Sequence, residues 1–442
     1  MLIRFSVRNY KVFKETATLS MVASNYFSES EENIATLKAG SSTLRLLKSA
    51  VIYGANASGK SKLLDALQFM REFVRSSSRE SLAGENIRVS PFLLSTSTEQ
   101  APSTFEVVFV LDDIQYRYGF EASTHQVLTE WLYRKEFRVE VEVFTRKAQE
   151  LTIHPQLFKK GRLIEHERLL RSNALLLSTA AQLNDQLAIS LLNWFGLVRS
   201  VSDAQESGYL RLTAEQLKEE QKKQAIMELL EAADIGIKDL YIKEKDQFLK
   251  DMILEEVPAV YLSKILAAQK NEPEKTENTE VTSLHTKYDE QQLPAGSVAF
   301  SLEQDESAGT QKYFALLGPL LTTCEARSLL IADELDARLH PNLVSEIVTY
   351  FHRSQSNPFH SQLIFNTHNT NLLSEGLFRR DQIWFIQKDR YGASELYSLA
   401  DFKKEGGKAR KQENFEKNYL EGRYKGVPYL GAFEGLFVPQ TP

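Results

Sequence analysis

The stretch Gly54-Ala55-Asn56-Ala57-Ser58-Gly59-Lys60-Ser61 decides the fold, because it matches the phosphate-binding loop pattern of two glycines, a lysine and a serine. The apolar, β-branched run 49–53 before this loop predicts a buried strand. After the loop, residues 62–75 place apolar side chains on one face at helical spacing, which predicts an amphipathic helix. A loop of this kind between a strand and a helix indicates an α/β protein that binds nucleotide phosphates.

Each residue of the loop has an expected partner on ATP or on Mg²⁺. Backbone N–H groups of the loop and the N-terminus of the helix surround phosphate oxygens. The residues expected to bind the phosphates are Gly54, Asn56, Ala57, Ser58, Gly59, Lys60 and Ser61. Among them, Lys60 neutralises the β and γ oxygens, and the Ser61 hydroxyl ligates the metal ion. ATP and Mg²⁺ are therefore the predicted cofactors.

A second apolar run, residues 328–332, ends in two acids. A nucleotide site needs one carboxylate to hold Mg²⁺ and another to accept a proton from the attacking water. We assign the first role to Asp333 and the second to Glu334. Paired acids at a strand end are also common in solvated turns, and the phosphate loop elsewhere in the chain is what favours the catalytic interpretation.

A second candidate cradle is Glu306-Ser307-Ala308-Gly309-Thr310-Gln311, which precedes another apolar helical pattern. Serine and glycine at the start of a helix can bind a phosphate without a lysine. Because one nucleotide does not need two cradles, we expect this one to contact the γ-phosphate of ATP bound by a second subunit. The alternative is a simple helix cap at Ser307.

A histidine follows a third apolar run, residues 362–366. At a strand end beside the γ-phosphate, His368 could sense that phosphate and polarise the attacking water. The alternative is an ordinary surface histidine, and the position of His368 after the other motifs favours the functional interpretation. With Lys60 and Glu334, it completes the predicted catalytic set.

The order of these motifs resembles the ABC-type heads of RecF, SMC and OLD proteins. The matching segments are GANASGKS (54–61), ESAGTQ (306–311), LLIADELDARLHP (329–341) and FNTHNTNLL (365–373). Further segments look like the RloA-like, abortive-infection group of stand-alone ATPases, which includes the ATPase of PARIS-type phage defence systems. They are PFLL (91–94), STFEVVF (103–109), YRYGFE (116–121), RRDQIWFIQKD (379–389) and YLEGRYKGVPYL (419–430).

The resemblance implies an α/β fold, an ABC-type P-loop NTPase head with a mixed central sheet, an antiparallel β-subdomain and a short helical insertion. It implies a homo-oligomer, at least a head-to-head dimer around ATP, with Ser307, Gly309 and Gln311 as the signature contact in trans. Asp336 would lie at the dimer seam. It also implies a separately encoded effector, often a nuclease, as partner, and a role in antiphage defence.

Three segments are predicted along the chain. Within them we expect strand pairs over 2–22 and 104–120, a polar stretch over 24–43, helices over 163–195 and 213–233, and an exposed loop over 271–280. Residues 1–160 form the N-terminal lobe, which opens with a strand hairpin and contains the phosphate loop and an antiparallel β-region. Residues 161–295 form a helical insertion, whose helices would reach only about 30 to 50 Å at about 1.5 Å per residue, so it is no long SMC arm. Residues 296–442 form the C-terminal lobe, and their last forty residues are either a surface tail or a docking segment.

Two features depart from the resemblance. No convincing glutamine of the Q-loop follows the first helix, and Gln100, in a polar loop, is the one candidate. In ESAGTQ, Ala308 stands where the transporter signature has glycine, which fits the RecF and OLD side better. The metal contact that a Q-loop glutamine would make therefore has no assigned residue.

Composition excludes several classes of protein. With 42% hydrophobic and 25% charged residues, the 442-residue chain is expected to fold. No stretch has the roughly 18 apolar residues that cross a bilayer, and no secretory signal is expected from the alternating residues 1–13. A single cysteine, Cys324, excludes an internal disulfide and a thiolate metal cluster. We expect a cytoplasmic protein without a membrane partner.

Two other functions stay open. One is a RecF-like DNA repair ATPase that acts on DNA through a basic run, although the net charge of −6 gives no global attraction to nucleic acid. That run comprises Lys403, Lys404, Lys408, Arg410 and Lys411. The other is an ATP-locked scaffold with slow turnover that holds a toxin. A nuclease site within the chain is not expected, because Asp381, Asp389 and Asp401 are too dispersed.

Overall fold

The computed structural model describes residues 1–26, 30–80, 82–202, 206–244, 279–402 and 414–427. The chain forms two compact units. The first comprises Met1–Ser200, Thr323–Asp336 and Val344–Pro442, and the second comprises Val201–Thr322 and Ala337–Leu343. The predicted segment 161–295 therefore contributes to both units.

The described strands and helices are numbered here in chain order. The strands are β1 (Leu2–Arg8), β2 (Ala17–Ser20), β3 (Ile34–Ala39), β4 (Ser42–Leu47), β5 (Ser49–Gly54), β6 (Ser103–Leu111), β7 (Ile114–Ala122), β8 (Val127–Lys135), β9 (Val141–Lys147), β10 (Glu150–Ile153), β11 (Val198–Val201), β12 (Ile237–Glu244), β13 (Thr279–Tyr288), β14 (Pro294–Ser301), β15 (Leu329–Ala332), β16 (Gln362–Asn366), β17 (Ile383–Lys388) and β18 (Ser394–Ser398). The helices are α1 (Lys60–Ser76), α2 (Lys159–His166), α3 (Leu176–Gln182), α4 (Gln186–Gly196), α5 (Glu206–Gln216), α6 (Glu220–Ala232), α7 (Ala308–Cys324), α8 (Pro341–His352) and α9 (Phe415–Leu420).

The first unit contains a seven-stranded antiparallel sheet with the order β10-β9-β8-β7-β6-β1-β2. The predicted hairpins β1–β2 and β6–β7 are both present. Asp112 and Asp113 have φ values of 49° and 60° and connect β6 to β7, as in the two-residue type I′ turn that suits the twist of antiparallel strands. This sheet supplies the predicted antiparallel β-region.

A six-stranded sheet with the order β11-β15-β16-β5-β17-β18 carries the phosphate loop. Strands β15, β16, β5 and β17 run parallel, and β18 is antiparallel to β17. All residues of β5, β15 and β16 are buried, as expected for parallel strands that are covered on both faces. The carboxyl ends of these strands lie at one edge of the sheet, which is where ligands of open α/β sheets bind.

One apolar core joins both sheets to helices α1, α3 and α4. Helix α1 buries Leu63, Leu64, Leu67 and Met70, the face that the sequence predicted. The helices predicted over 163–195 correspond to α2, α3 and α4, and their apolar residues belong to this same core. They are consequently part of the first unit rather than of a separate insertion.

A buried ion pair fixes the start of helix α3. The Glu130 carboxylate accepts hydrogen bonds from the backbone N–H groups of Leu176 and Leu177 at 2.6 and 3.0 Å. The Arg146 guanidinium lies 3.6 Å from it, and the side chains of both charged residues are fully buried. A carboxylate at a helix N-terminus is favourably placed with respect to the helix dipole.

The second unit contains helices α5 and α6, most of α7, and the antiparallel sheet β12-β13-β14. Pro319 interrupts the hydrogen bonding of α7 because it has no N–H to donate to the Ala315 carbonyl. The Thr213 hydroxyl of α5 donates to that carbonyl at 3.2 Å and accepts from the Gly318 N–H at 3.0 Å. These contacts join α5 to α7 within the unit.

Several elements differ from the sequence predictions. Strand β3 and the start of β4 lie in the polar stretch 24–43, for which no strand was predicted; Ala35 and Leu37 of β3 and Leu46 of β4 are buried. The predicted helical insertion also contains strands β12 and β13. Most of the loop predicted over 271–280 and the basic residues Lys403, Lys404, Lys408, Arg410 and Lys411 lie outside the described residues.

The end of the described chain docks onto the central sheet. Tyr419 and Tyr424 are buried, and their rings stack on Phe385 of β17 at 5.3 and 5.7 Å between centroids. Residues 414–427 thus pack on the first unit, and the rest of the predicted surface tail or docking segment lies outside the described residues. Among the helices described, none is long and apolar enough to span a membrane.

Candidate functional site

The phosphate-binding loop connects the end of β5 to the start of α1. The Lys60 ammonium donates hydrogen bonds to the carbonyls of Gly54 and Ala55 at 2.8 and 3.2 Å. Lys60 is 6% exposed, whereas Asn56 and Ala57 are exposed and Ser61 is half-buried. The loop therefore presents backbone to solvent while it retains the lysine within the fold.

Two positions of the loop accept only glycine. Gly59 has a φ of +111°, and a Cβ on it would lie 2.6 Å from Val12 Cγ2. A Cβ on Gly54 would lie 2.6 Å from the carbonyl oxygen of Ile386. Both contacts are too close for any side chain, so the glycine pattern follows from the packing of the loop on its neighbours.

Ser394, at the start of β18, holds the loop from the side. Its hydroxyl donates to the Ser58 carbonyl at 2.6 Å, and its backbone N–H donates to the Val12 carbonyl at 2.8 Å. Sequence reasoning missed this residue, because a lone serine 336 positions from its partner in sequence has no local signal.

Lys60 of the phosphate-binding loop interacts electrostatically with the acids that follow β15. Burial lowers the pKa of Lys60, and the carboxylates of Glu334, Asp333 and Asp336 act in the opposite direction. Asp333 and Asp336 are half-buried, and Glu334 is exposed. The structure therefore brings the predicted lysine and acids into one electrostatic site within the first unit.

Asn366, the last residue of β16, holds both predicted acids. Its side-chain amide donates to Asp333 Oδ1 at 2.5 Å, and its side-chain oxygen accepts from the Glu334 N–H at 2.5 Å. Asn366 is fully buried, and its backbone carbonyl also accepts from the Leu335 N–H at 3.3 Å. Glu334 has a φ of 52°, a left-handed conformation that these bonds support.

Asp336 and His368 also meet in this site. The backbone N–H of His368 donates to Asp336 Oδ2 at 3.2 Å, and Asp336 Oδ1 is buried with no hydrogen-bond partner in the described part of the chain. Burial lowers the pKa of His368, and the positive charge of Lys60 lowers it further. The exposed His368 is thus favoured in its neutral form beside Lys60.

The predicted signature residues lie in the second unit, at the start of α7. The Ser307 hydroxyl accepts from the Thr310 N–H at 3.1 Å, so Ser307 caps the helix. The Gln311 side-chain amide donates to the carbonyls of Glu303 and Glu306 at 3.1 and 2.9 Å. A Cβ on Gly309 would lie 3.0 Å from the Arg338 carbonyl oxygen. Capping and a phosphate contact are compatible, because Ser307 is exposed.

The donors available for Mg²⁺ fit the predicted pair. Asp333 Oδ1 is bound to Asn366, and Asp333 Oδ2 makes no hydrogen bond to other described residues. In the described ranges, no three His, Cys, Asp or Glu side chains cluster closely enough to hold a metal alone. A site of this kind needs nucleotide oxygens to complete the coordination, as is usual for Mg²⁺.

Two other residues named in the sequence analysis are described. Gln100, the Q-loop candidate, is exposed in a turn, and Asp381 pairs with Arg379 at 3.0 Å.

A parallel sheet with a phosphate loop after β5, two acids after β15 of the same sheet and an antiparallel β-sheet on the same core define the class: the chain has the fold of an ABC-type P-loop NTPase head. A family model described as "AAA domain, putative AbiEii toxin, Type IV TA system" matches residues 49–374, and the chain belongs to this family. Among solved structures, it is similar to an SMC head domain from Thermotoga maritima. That likeness has 13% identity and a TM-score of 0.39, covering 90% of this chain and 98% of that chain. No curated protein matches the chain.

Proposed function

We propose that this protein is an ATP-hydrolysing switch in which two heads close on two ATP molecules and control a separately encoded effector. The observation that carries the proposal is the arrangement around Asn366. The buried side-chain amide of Asn366 bonds to the Asp333 carboxylate and to the Glu334 N–H. Both carboxylates raise the pKa of Lys60. A structural lysine and two solvated acids would not require this support.

In the proposed mechanism, the loop binds the triphosphate through its backbone N–H groups, and Lys60 neutralises the β and γ oxygens. Ser61 and Asp333 would hold Mg²⁺, which, when bound, neutralises charge that develops on the transferred phosphoryl group. Lys60 must leave its carbonyl partners at Gly54 and Ala55 to reach a phosphate. Because burial disfavours its charged form, an anionic ligand is a favourable replacement partner.

Hydrolysis requires a base and an oriented water molecule. Glu334 is the proposed base. Its carboxylate is exposed, and its backbone is held in place because the Glu334 N–H donates to the side-chain oxygen of Asn366. It would accept a proton from the water that attacks the γ-phosphorus, and the bond from that phosphorus to the bridging oxygen breaks. The neutral imidazole of His368 can donate one hydrogen bond to the water or the γ-phosphate, and the bond from the backbone N–H of His368 to Asp336 positions this residue.

The signature segment supports the proposed dimer. Ser307, Gly309 and Gln311 belong to the second unit, whereas the phosphate loop belongs to the first. In the proposed closed state, these three residues contact the γ-phosphate held by the other copy, and Asp336 lies at the seam. ATP binding then favours the closed dimer and hydrolysis reopens it, because the γ-phosphate contacts exist only in the closed state.

Control of an effector is the finer part of the proposal. The family description names the family itself as a putative toxin of a toxin–antitoxin system, and a system of that kind has a second component, which supports a separately encoded partner. We propose residues 161–295 and the C-terminal segment as the surfaces that a partner contacts. The DNA repair alternative has no described residue in its favour, since its basic run lies outside the described part of the chain.

Rates of ATP hydrolysis test the enzymatic part. We expect Lys60→Ala to abolish nucleotide binding and Glu334→Gln to keep binding while hydrolysis slows by about 10² to 10⁴-fold. Glu150→Gln, at an exposed site on edge strand β10, removes the same charge and should leave the rate unchanged. If the Glu334→Gln variant hydrolyses ATP at the wild-type rate, the base is wrongly assigned.

Purification with the proteins of neighbouring genes tests the partner. A stoichiometric protein that copurifies with an even-numbered assembly, in an ATP-dependent manner, would support the switch. A partnerless protein whose hydrolysis rises sharply on addition of DNA would favour the repair ATPase. A copurified toxin with hardly any turnover would favour the scaffold.

A further inference from the structure

Glu306, the residue immediately before Ser307, is held by two side chains of strand β13. The Ser283 hydroxyl donates to Glu306 Oε1 at 2.5 Å, and His285 Nε2 lies 2.7 Å from the same oxygen. Ser283 is fully buried, and the side chains of His285 and Glu306 are 20% and 10% exposed. We call Ser283, His285 and Glu306 the strand clamp. All three residues lie in the second unit.

The geometry of β13 explains the clamp. Side chains two positions apart in a strand point to the same face, so Ser283 and His285 reach one carboxylate. The ring of Phe300, on the neighbouring strand β14, lies 5.0 Å from the His285 ring and restricts its orientation. Hydrogen bonds to a carboxylate are roughly twice as strong as those between neutral groups, so the clamp is a firm attachment.

The clamp attaches a turn that has little freedom of its own. Gln311 bonds to the carbonyls of Glu303 and Glu306, and the Ser307 hydroxyl bonds to the Thr310 N–H. Movement of Glu306 would therefore carry Ser307 and the start of α7 with it. The clamp also engages a carboxylate that could otherwise repel a phosphate at this helix N-terminus.

We propose that Glu306 is a positioning residue for ATP hydrolysis in trans. Through Ser283 and His285, it holds Ser307 and Gly309 where they contact a γ-phosphate bound by a second copy of the chain. Glu306 itself does not touch the nucleotide. This inference rests on the proposed closed dimer, and it adds a residue that neither the signature pattern nor the phosphate loop identifies.

Steady-state kinetics provide the first test. We expect Glu306→Ala to lower kcat by about 10- to 100-fold, because small displacements of a positioned group have effects of this size. The affinity of the phosphate loop for ATP should remain unchanged, since that loop belongs to the other unit. Glu290→Ala, at an exposed position of the β13–β14 hairpin, is the matched control and should retain full activity. Equal kcat values for Glu306→Ala and Glu290→Ala would overturn the inference.

Mixing two inactive variants separates a role in trans from local damage. In a mixed dimer, Glu306→Ala supplies an intact phosphate loop and Lys60→Ala supplies an intact signature turn, so one complete site forms. With random pairing, half of the dimers are mixed and one of the two sites in each is complete. The mixture should therefore have about one quarter of the wild-type activity if the sites act independently. If the wild-type protein is active but the mixture is no more active than either variant alone, positioning in trans is refuted. If the wild-type protein neither dimerises in the presence of ATP nor hydrolyses ATP, the proposed function itself is wrong.

Discussion

Replacement of Asn366 by alanine should slow ATP hydrolysis much more than it weakens ATP binding. The change removes the donor to Asp333 Oδ1 and the acceptor for the Glu334 N–H, both at 2.5 Å. It leaves the phosphate loop intact, because the contacts of Lys60 with Gly54 and Ala55 do not involve Asn366. The proposed base and metal ligand lose their support together.

The magnitude follows from the two lost contacts. A buried polar group without its partner costs about 1–3 kcal/mol, so Asn366→Ala should lower the free energy of unfolding by a few kcal/mol at most. A displacement of the base by about 1 Å costs about 10²-fold in rate. We therefore expect kcat to fall about 100-fold, whereas the dissociation constant of ATP changes little.

Asn357→Ala is the matched control for this variant. Asn357 is equally buried and makes three hydrogen bonds, to the Phe351 carbonyl and to the Ser361 carbonyl and N–H, at 2.7 to 2.9 Å. It should lose a similar amount of stability without slowing catalysis. The assay is kcat per mole of folded protein, with the folded fraction measured by circular dichroism. Equal kcat values for the two variants would refute the role of Asn366.

Three further predictions concern the site and the core. Removal of Ser394 Oγ by Ser394→Ala should raise the dissociation constant of ATP by about fivefold, because one hydrogen bond to the loop is worth about 1 kcal/mol; calorimetric titration measures this. Glu130→Leu should lower the free energy of unfolding by about 3–5 kcal/mol in urea titrations, and Glu130→Met with Arg146→Met should recover most of it. Burial and Lys48 lower the pKa of His352 to about 3, so the unfolded chain takes up the extra proton and stability falls as pH decreases below about 6.5. Between pH 7.5 and 5.5 this group should remove about 1.4 kcal/mol, and His352→Gln should abolish that part of the pH dependence.

Much of the first unit follows from local sequence patterns. The apolar run before Gly54, the helical spacing after Lys60 and the paired aspartates between β6 and β7 each predicted an element that is present. These signals are strong because burial on both faces of a parallel strand, or on one face of a helix, restricts residue type at nearby positions. The order of the motifs then indicated the ABC-type head, and the family match, whose description prints an AAA domain, covers the segment that holds these motifs.

The supports of the site could not be predicted, because each depends on residues distant in sequence. Asn366 and Ser394 have no pattern around them that marks a contact with Asp333 or Ser58. Short strands such as β3 and β18 were missed for a related reason. Their residues are stabilised by pairing with a neighbour rather than by a distinctive local pattern.

The mass of the Glu334→Gln protein with and without ATP is the most direct test of the proposed switch. Light scattering coupled to size-exclusion chromatography should show an ATP-dependent doubling of mass, and the further change Lys60→Ala should abolish it. This result would follow from two heads that close on ATP which they cannot hydrolyse. An unchanged mass at saturating ATP, with ATP binding verified, would contradict the proposed closed dimer.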